Sequence, residues 1–91
     1  SSSVYYVEVS NHQLVYHTDQ GEFAVWKSLK SVEKSLESMH FAKCNSCYLV
    51  NLLHVQAVKK DTVLVGKDEL KISRGRKNEF MKAVADYMGG I

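Results

Sequence analysis

The first third of the chain alternates short apolar runs with polar breaks, and this pattern predicts short β-strands. The runs are residues 4–9, 14–18 and 22–26, which are rich in β-branched and aromatic side chains. Residues 10–12 and 19–21 separate them as turns, because Ser, Asn, Asp and Gly favour turn conformations. The opening is therefore predicted to be a three-stranded meander, with Asn11 and His12 in its first turn.

The apolar spacing becomes helical at residues 28–38, which predicts a short amphipathic helix. Ser28 is a favourable N-cap residue for it, because a serine side chain can accept a hydrogen bond from an unpaired N–H group of the first turn. Charged residues occupy the outer face of this helix. The apolar residues on its inner face are Leu29, Val32, Leu36 and Met39.

Strands are predicted again after this helix. Residues 41–50 indicate a strand pair or one interrupted strand, with its break at residues 44–46. Residues 54–60, 62–65 and 69–72 indicate three more strands. From Ser73 the spacing is helical once more, with an apolar stripe made of Phe80, Met81, Val84, Ala85 and Met88.

The order of these elements predicts a mostly-β fold in one domain, residues 4–88. The strands are short, and no β-α-β alternation that would build a parallel sheet appears. The expected architecture is a β sandwich with one lateral helix and a short C-terminal helix. The aromatic residues Trp26, Phe41 and Tyr48 are expected in its core, as is usual for aromatic side chains in the strands of a small β domain.

Composition adds limits on the class of protein. The 91 residues are 45% hydrophobic and 24% charged, which is typical of a chain that folds. No apolar run is long enough to cross a bilayer, so no membrane association is expected. Two cysteines are too few for a disulfide scaffold and indicate a reducing, cytoplasmic location. No catalytic triad, carboxylate pair or glycine-rich phosphate loop appears, so neither an enzyme nor a cofactor is expected.

The net charge of +2 is small, but its distribution is uneven. Residues 1–26 contain three acidic residues and no Lys or Arg, whereas residues 41–60 contain three lysines and no acidic residue. The stretch 71–82 is also basic. A one-sided basic surface allows a nearly neutral domain to bind a polyanion.

The strongest local signal is a cationic cluster, Ser73-Arg74-Gly75-Arg76-Lys77, where the second helix is predicted to begin. A helix N-terminus carries a partial positive charge, so cations in its first turn reduce helix stability. Unpaired N–H groups and guanidinium groups together suit a phosphate, and arginine also suits guanine edges. An ordinary solvated basic face is the alternative interpretation, and composition alone does not choose between them.

Cys44 and Cys47 have the spacing of a CxxC motif. A zinc site needs two further ligands, which the scattered histidines do not supply as a second pair. A thioredoxin-like site needs a βαβ context, which is absent. Structural thiols are therefore expected, although an exposed thiol near Lys43 would have a lowered pKa and be sensitive to oxidation.

The meander, the first helix and two sequence blocks together resemble the LytTR family, the LytR/AlgR-type DNA-binding domain of bacterial response regulators. The blocks are Phe41-Ala42-Lys43-Cys44-Asn45-Ser46-Cys47-Tyr48-Leu49-Val50-Asn51 and Leu70-Lys71-Ile72-Ser73-Arg74-Gly75-Arg76-Lys77. The resemblance covers residues 4 to 85. It implies an elongated β sandwich of about ten short strands whose loops enter successive major grooves of double-stranded DNA.

The resemblance also implies site residues. By position, His12 with Asn11 matches one contact loop, and Ser46 with Lys43 and Asn45 matches the second. Arg74 matches an arginine that reads the next groove, and Ser73, Arg76 and Lys77 lie beside it. The family commonly has an arginine where this chain has Ser46, so Arg74 is expected to carry a larger share of base recognition here.

The partners implied are promoter repeats and a receiver domain that precedes the output domain in the full-length protein. The isolated domain is expected to be a monomer that pairs on DNA and regulates transcription. Two other interpretations stay open from the residues alone: a non-catalytic module that binds another protein, and a CxxC metal or redox domain.

Overall fold

The computed structural model describes residues 4–10 and 12–89. Two helices and eight strands form in these residues, together with two short 3-10 turns, Leu52–His54 and Arg74–Arg76. The helices are α1 (Leu29–Ser38) and α2 (Lys77–Gly89). The strands are β1 (Val4–Ser10), β2 (Gln13–Thr18), β3 (Gly21–Val25), β4 (Phe41–Asn45), β5 (Tyr48–Asn51), β6 (Val55–Val58), β7 (Thr62–Val65) and β8 (Asp68–Lys71).

The strands form two antiparallel sheets. The larger sheet has the order β3-β2-β1-β5-β4, and the smaller has the order β6-β7-β8. Central strand β1 pairs with β2 on one side and with β5 on the other, although β5 lies far along the chain. The predicted mostly-β fold with a lateral and a C-terminal helix is confirmed, and the eight described strands are close to the number that the resemblance implies.

Two hydrophobic cores lie on opposite faces of the larger sheet, because neighbouring residues of a strand point to opposite sides. One core packs Val7 and Leu49 of this sheet against Leu36 of α1. The other packs the facing residues of the same strands against the smaller sheet and α2. Its buried members are Tyr6, Cys44, Val50, Leu52, Val63, Val65, Leu70, Ile72 and Phe80.

A register irregularity in β1 allows Val4 and Val7 to share a face. Val4 is opposite Thr18 and Tyr6 is opposite His17, so one residue of β1 is extra between these pairs. Such a bulge shifts the alternation by one position. Tyr6 consequently faces the second core, where its hydroxyl donates to a carboxylate oxygen of Asp68 at 3.0 Å and links the two sheets. Burial, and then the Asp68 carboxylate, raise the pKa of Tyr6.

Asn51 is a polar residue inside this packing, and it is only 3% exposed. Its Nδ2 donates to the carbonyl oxygen of Val4 at 2.8 Å, and its Oδ1 accepts from the N–H of Leu53 at 3.1 Å. Both halves of the amide are thus hydrogen-bonded, as burial of a polar group requires. The side chain fixes the start of β1 to the end of β5.

Three details of the predicted elements are wrong. Trp26 lies beyond the end of β3 and is 76% exposed, so it is not a core residue. In α2, Met81 and Ala85 are exposed, and the inward side chains are Phe80, Ala83, Val84 and Tyr87. The Met88 side chain lies outside the described residues. The break after β4 is at Ser46 and Cys47, because Asn45 still pairs with Tyr48.

The predicted start of α1 is correct, but its capping differs from expectation. Ser28 is the N-cap residue with extended backbone, yet its side chain makes no capping hydrogen bond. Instead Ser31 Oγ donates to the carbonyl oxygen of Ser28 at 2.7 Å. In the described ranges, neither helix is long and apolar enough to cross a bilayer.

Candidate nucleic-acid interface

The three chain segments that the sequence predicts to contact DNA meet at one end of the larger sheet. They are the loop at His12, the loop at Ser46 and the Ser73–Lys77 segment. The antiparallel pairing of β1 with β5 places the end of β1 beside the start of β5. The β1–β2 turn and the β4–β5 turn therefore lie at the same end of the sheet. Backbone hydrogen bonds fix this arrangement: Val9 N–H donates to Cys47 O at 2.8 Å, and Ser73 N–H donates to Cys44 O at 2.9 Å.

These two bonds set the order of the segments. The β4–β5 turn is in the middle, the β1–β2 turn is on one side, and the Ser73–Lys77 segment is on the other. The strands behind the turns are buried and paired, so the three segments are presented on a rigid support. A row of turns on a fixed scaffold is the usual way for loops to carry binding residues.

His12 is exposed in the β1–β2 turn and has a backbone φ of 67°. This left-handed conformation is uncommon for a residue other than glycine, although His and Asn adopt it more often than most. His12 lies between the paired residues Ser10 and Gln13, where the chain passes from β1 to β2. Asn11, which the sequence predicts beside His12 in the contact loop, lies outside the described residues.

The middle turn exposes Ser46 and turns Asn45 inward. Asn45 Oδ1 accepts from the N–H of Cys47 at 2.7 Å, and its Nδ2 donates to the carbonyl oxygen of Lys71 at 2.7 Å. Asn45 therefore shapes the turn and joins it to the end of β8. Ser46 is exposed at the tip, where its hydroxyl is 3.9 Å from Cys47 Sγ.

Lys43 lies on the α1 side of β4, and its charge is paired there. Its Nζ is 2.9 Å from a carboxylate oxygen of Glu33, and both side chains are about a quarter exposed. The pairing follows from strand alternation, because Cys44, the next residue, points into the opposite core. The ammonium of Lys43 thus belongs to the contact between α1 and the sheet.

The cationic cluster divides between two surfaces. Arg76 lines a groove between the two helices, and Glu33, Glu37, Lys43 and Glu79 line the same groove. Arg74 and Lys77 line a different pocket. The cause is the 3-10 turn Arg74–Arg76, which precedes α2 and directs successive side chains about a third of a turn apart.

Gly75, between the two arginines, is exposed, and a Cβ built on it would meet no atom within 4 Å. Packing inside the described part of the domain therefore does not require glycine there. The backbone at this position is open to close approach by a partner.

The pocket beside Arg74 has a volume of about 540 Å³. Its lining residues come from one end of the smaller sheet and from the segment after it: Lys60 and Asp61 follow β6, Lys71 ends β8, and Arg74 and Lys77 come after β8. Four cations and one carboxylate thus share one concave surface. Reasoning from the sequence located the basic stretches, but it did not bring Lys60 and Lys71 to this site.

The two cysteines differ in exposure. Cys44 is buried in the core between the sheets, whereas Cys47 is exposed at the middle turn. Burial raises the pKa of the Cys44 thiol to about 11. Cys44 follows Lys43 in the sequence, but it is buried, so the lowered pKa expected for an exposed thiol near Lys43 does not apply to it.

We expect only one of the two thiols to react quickly with a disulfide reagent in the native protein. Cys47 is exposed, while Cys44 is buried and remains protonated at neutral pH, and the thiolate is the reactive form. Absorbance after addition of the reagent should show one fast equivalent and a second on unfolding. In a Cys47→Ser variant the fast equivalent should vanish, and equal rates for both thiols would contradict the buried position of Cys44.

The other three histidines have aromatic neighbours. His17 stacks on Tyr6 with ring centroids 4.2 Å apart, and its Nε2 is 2.9 Å from a Glu8 carboxylate oxygen. His54 meets Tyr5 edge-on, and the His40 ring is 5.2 Å from that of Tyr87. These contacts give the three histidines packing partners within the domain.

The fold and this end of the sheet define a small antiparallel β module with turns and cations arranged along one face. The chain belongs to the LytTr DNA-binding domain family, whose model matches residues 1–85. The family indicated by the two sequence blocks is thereby confirmed.

A solved structure supports the same fold. The chain is similar to the LytTr DNA-binding domain of a protein described as a methyl-accepting/DNA response regulator from Bacillus cereus, with a TM-score of 0.82. The two sequences are 20% identical, and the match covers 91% of this chain and 82% of the other. Comparison with curated protein sequences finds no match.

Proposed function

We propose that this domain binds double-stranded DNA sequence-specifically through the turns at one end of its larger sheet. The observation that carries the proposal is the row formed by the β1–β2 turn, the β4–β5 turn and the Ser73–Lys77 segment, in a chain of the LytTr DNA-binding family. The domain would be the output domain of a bacterial response regulator that controls transcription in the cytoplasm.

In this proposal three exposed residues reach base edges. His12, Ser46 and Arg74 each occupy the tip or outer surface of one segment. Arginine can donate two hydrogen bonds to the O6 and N7 acceptors of guanine, whereas histidine and serine make single contacts. Arg74 is therefore the strongest candidate for base recognition. Ser73 and Lys77 would contact phosphates and fix the orientation of the domain on the duplex.

The remaining candidates take supporting positions in the proposal. Lys43 is paired with Glu33, Asn45 bonds two backbone groups, and Arg76 lines the groove between the helices rather than the pocket of Arg74. Their direct contribution to DNA affinity should therefore be smaller than that of Arg74. Asn11 is proposed to contact DNA beside His12.

The proposed partners follow from the same function. Promoter repeats would bind two domains, each a monomer in isolation, and an upstream receiver domain would control their pairing. No contact with another chain is needed to complete the three segments, because all of them come from one chain.

The proposal is tested by fluorescence anisotropy with a labelled random duplex and with duplexes selected by the domain from a randomised pool. Binding should be tighter to the selected duplex and should weaken steeply with salt, because phosphate contacts release counterions. If neither duplex changes the anisotropy at low salt, DNA binding is excluded. The domain would then be better described as a module that binds another protein.

Lys77→Ala should weaken binding to selected and random duplexes by the same factor. Lysine supplies a point charge to the backbone and carries no base information, so the slope of log K against log salt should fall by about one. Anisotropy titrations at several salt concentrations measure both quantities. A loss confined to the selected duplex would assign Lys77 to base recognition instead.

A further inference from the structure

We propose that Lys60 and Lys71, together with Lys77, form a phosphate-binding pocket that flanks the base-reading Arg74 and adds two DNA contacts from the smaller sheet. The inference rests on the proposed DNA binding and extends the interface beyond the three segments. The ligand is a backbone phosphodiester of the bound duplex.

None of the four cations of this pocket forms an ion pair with a carboxylate of residues 4–10 or 12–89. Within the described residues, Lys43 pairs with Glu33, and Lys59 pairs with Glu69 at 2.6 Å. No ion pair shorter than 4 Å forms in the same part of the chain at Lys60, Lys71, Arg74 or Lys77. Asp61 is the one carboxylate that lines the pocket. Cations that line one pocket repel one another, and an anion bound among them offsets that repulsion.

Lys59 and Lys60 are neighbours in the sequence, but only Lys60 lines the pocket. Lys59 ends the β6 side of a tight turn and its charge is neutralised by Glu69 on β8. Lys60 is at the tip of the same turn and faces the pocket. Of these two neighbouring lysines, Lys59 forms an ion pair within the smaller sheet, and Lys60 lines the pocket.

The pocket is held by backbone hydrogen bonds, so the lysines are not on a mobile loop. Lys59 N–H donates to Thr62 O at 2.7 Å and closes the β6–β7 turn. Ile72 N–H donates to Asp61 O at 2.7 Å and attaches this turn to the segment before Arg74. Asn45 Nδ2 donates to Lys71 O, which attaches the pocket to the middle turn of the interface.

The position next to Arg74 decides the kind of anion. A side chain that reads base edges in a groove passes between two phosphate backbones, so cations beside it meet phosphodiesters. Lys71, Ser73, Arg74 and Lys77 line one continuous surface. When Arg74 lies in the groove, the lysines around it lie along the adjoining strand of the duplex.

The test compares Lys60→Ala and Lys71→Ala with Lys67→Ala, which removes the same charge. Lys67 is exposed in the β7–β8 turn, at the opposite end of these strands, because Val65 pairs with Asp68 while Thr62 pairs with Lys71. All three side chains are exposed, so folding should be unaffected. Thermal unfolding followed by circular dichroism checks this.

Anisotropy titrations should show that Lys60→Ala and Lys71→Ala each weaken binding several-fold to selected and random duplexes alike. The salt slope should fall by about one for each. Lys67→Ala should change affinity much less. Equal, small effects of all three substitutions would overturn the pocket, and the loss caused by Arg74→Ala or Lys77→Ala would still show that the domain binds DNA.

A second measurement locates the phosphate. In the selected duplex, neutral methylphosphonates replace single backbone phosphates, one position at a time. The wild-type domain should lose affinity at the position bound by the pocket, and the Lys60→Ala variant should lose less there. An unchanged response in the variant would overturn the assignment, and a wild-type domain that binds no duplex would overturn both the pocket and the proposed function.

Discussion

Replacing Phe80 by alanine is expected to lower the free energy of unfolding by about 3–5 kcal/mol. Phe80 is 1% exposed and is the α2 residue that is fully buried in the core between the two sheets. Truncation removes its transfer free energy and leaves a cavity among residues of both sheets. Urea unfolding followed by circular dichroism measures the change.

Met81→Ala is the matched control for this substitution. The two residues are adjacent, and the apolar stripe of the sequence includes both, but Met81 is 39% exposed. Its loss should cost well under half as much as the loss of Phe80. Similar costs would mean that α2 is rotated from the position described, with Met81 facing the core.

The Phe80 variant should also bind DNA less tightly at temperatures where it is still mostly folded. Phe80 follows Lys77 by one helical turn, so its packing fixes the start of α2 and the 3-10 turn before it. Loss of that anchor loosens Arg74 and Lys77 relative to the middle turn. Unchanged affinity in a folded Phe80→Ala domain would show that Ser73 N–H and its neighbours hold the segment without help from α2.

Arg74→Ala is expected to weaken binding to the selected duplex by about 1–3 kcal/mol and to relax preference at one base pair. The expectation follows from a bidentate contact to guanine by the exposed guanidinium of Arg74. Binding to a random duplex should fall less. Repeating the selection with the variant reveals which base loses its preference.

Two controls sharpen this result. Arg76→Ala removes the same side chain two residues away, but Arg76 lines the groove between the helices, which Glu33, Glu37 and Glu79 also line. Its effect on DNA affinity should be small. Arg74→Lys keeps the charge and loses the planar pair of donors, so it should restore random-duplex binding more than base preference. An Arg76→Ala variant that matches Arg74→Ala would move base recognition to the other arginine.

The positions of the strands and helices follow closely from the sequence. Turn residues such as Gly21 and Gly66, both with positive φ, separate runs whose side chains suit a half-buried sheet. These signals are local, because they depend on backbone sterics and on the nearest neighbours along the chain. The family also follows from the sequence. Each of the two blocks that resemble it, around Tyr48 and around Arg74, is one uninterrupted stretch of residues.

Burial was harder to predict at the ends of elements. Trp26 and Met81 are as apolar as their buried neighbours, but one lies past an edge strand and the other on the outer side of α2. Whether such a residue is covered depends on which element packs above it. A periodic pattern predicts which side of a strand or helix is buried. It does not predict whether a residue at the border of that side is covered.

The sequence by itself determined the fold class, the order of the elements and the presence of a cationic cluster beside a helix. Only the tertiary structure showed that Arg74 and Arg76 line different pockets and that Lys43 pairs with Glu33. It also placed Lys60 and Lys71 in the lining of the same pocket. The physical reason is distance along the chain. A charge is free or neutralised according to the side chains that folding brings near it, and those partners come from strands and helices far away in sequence.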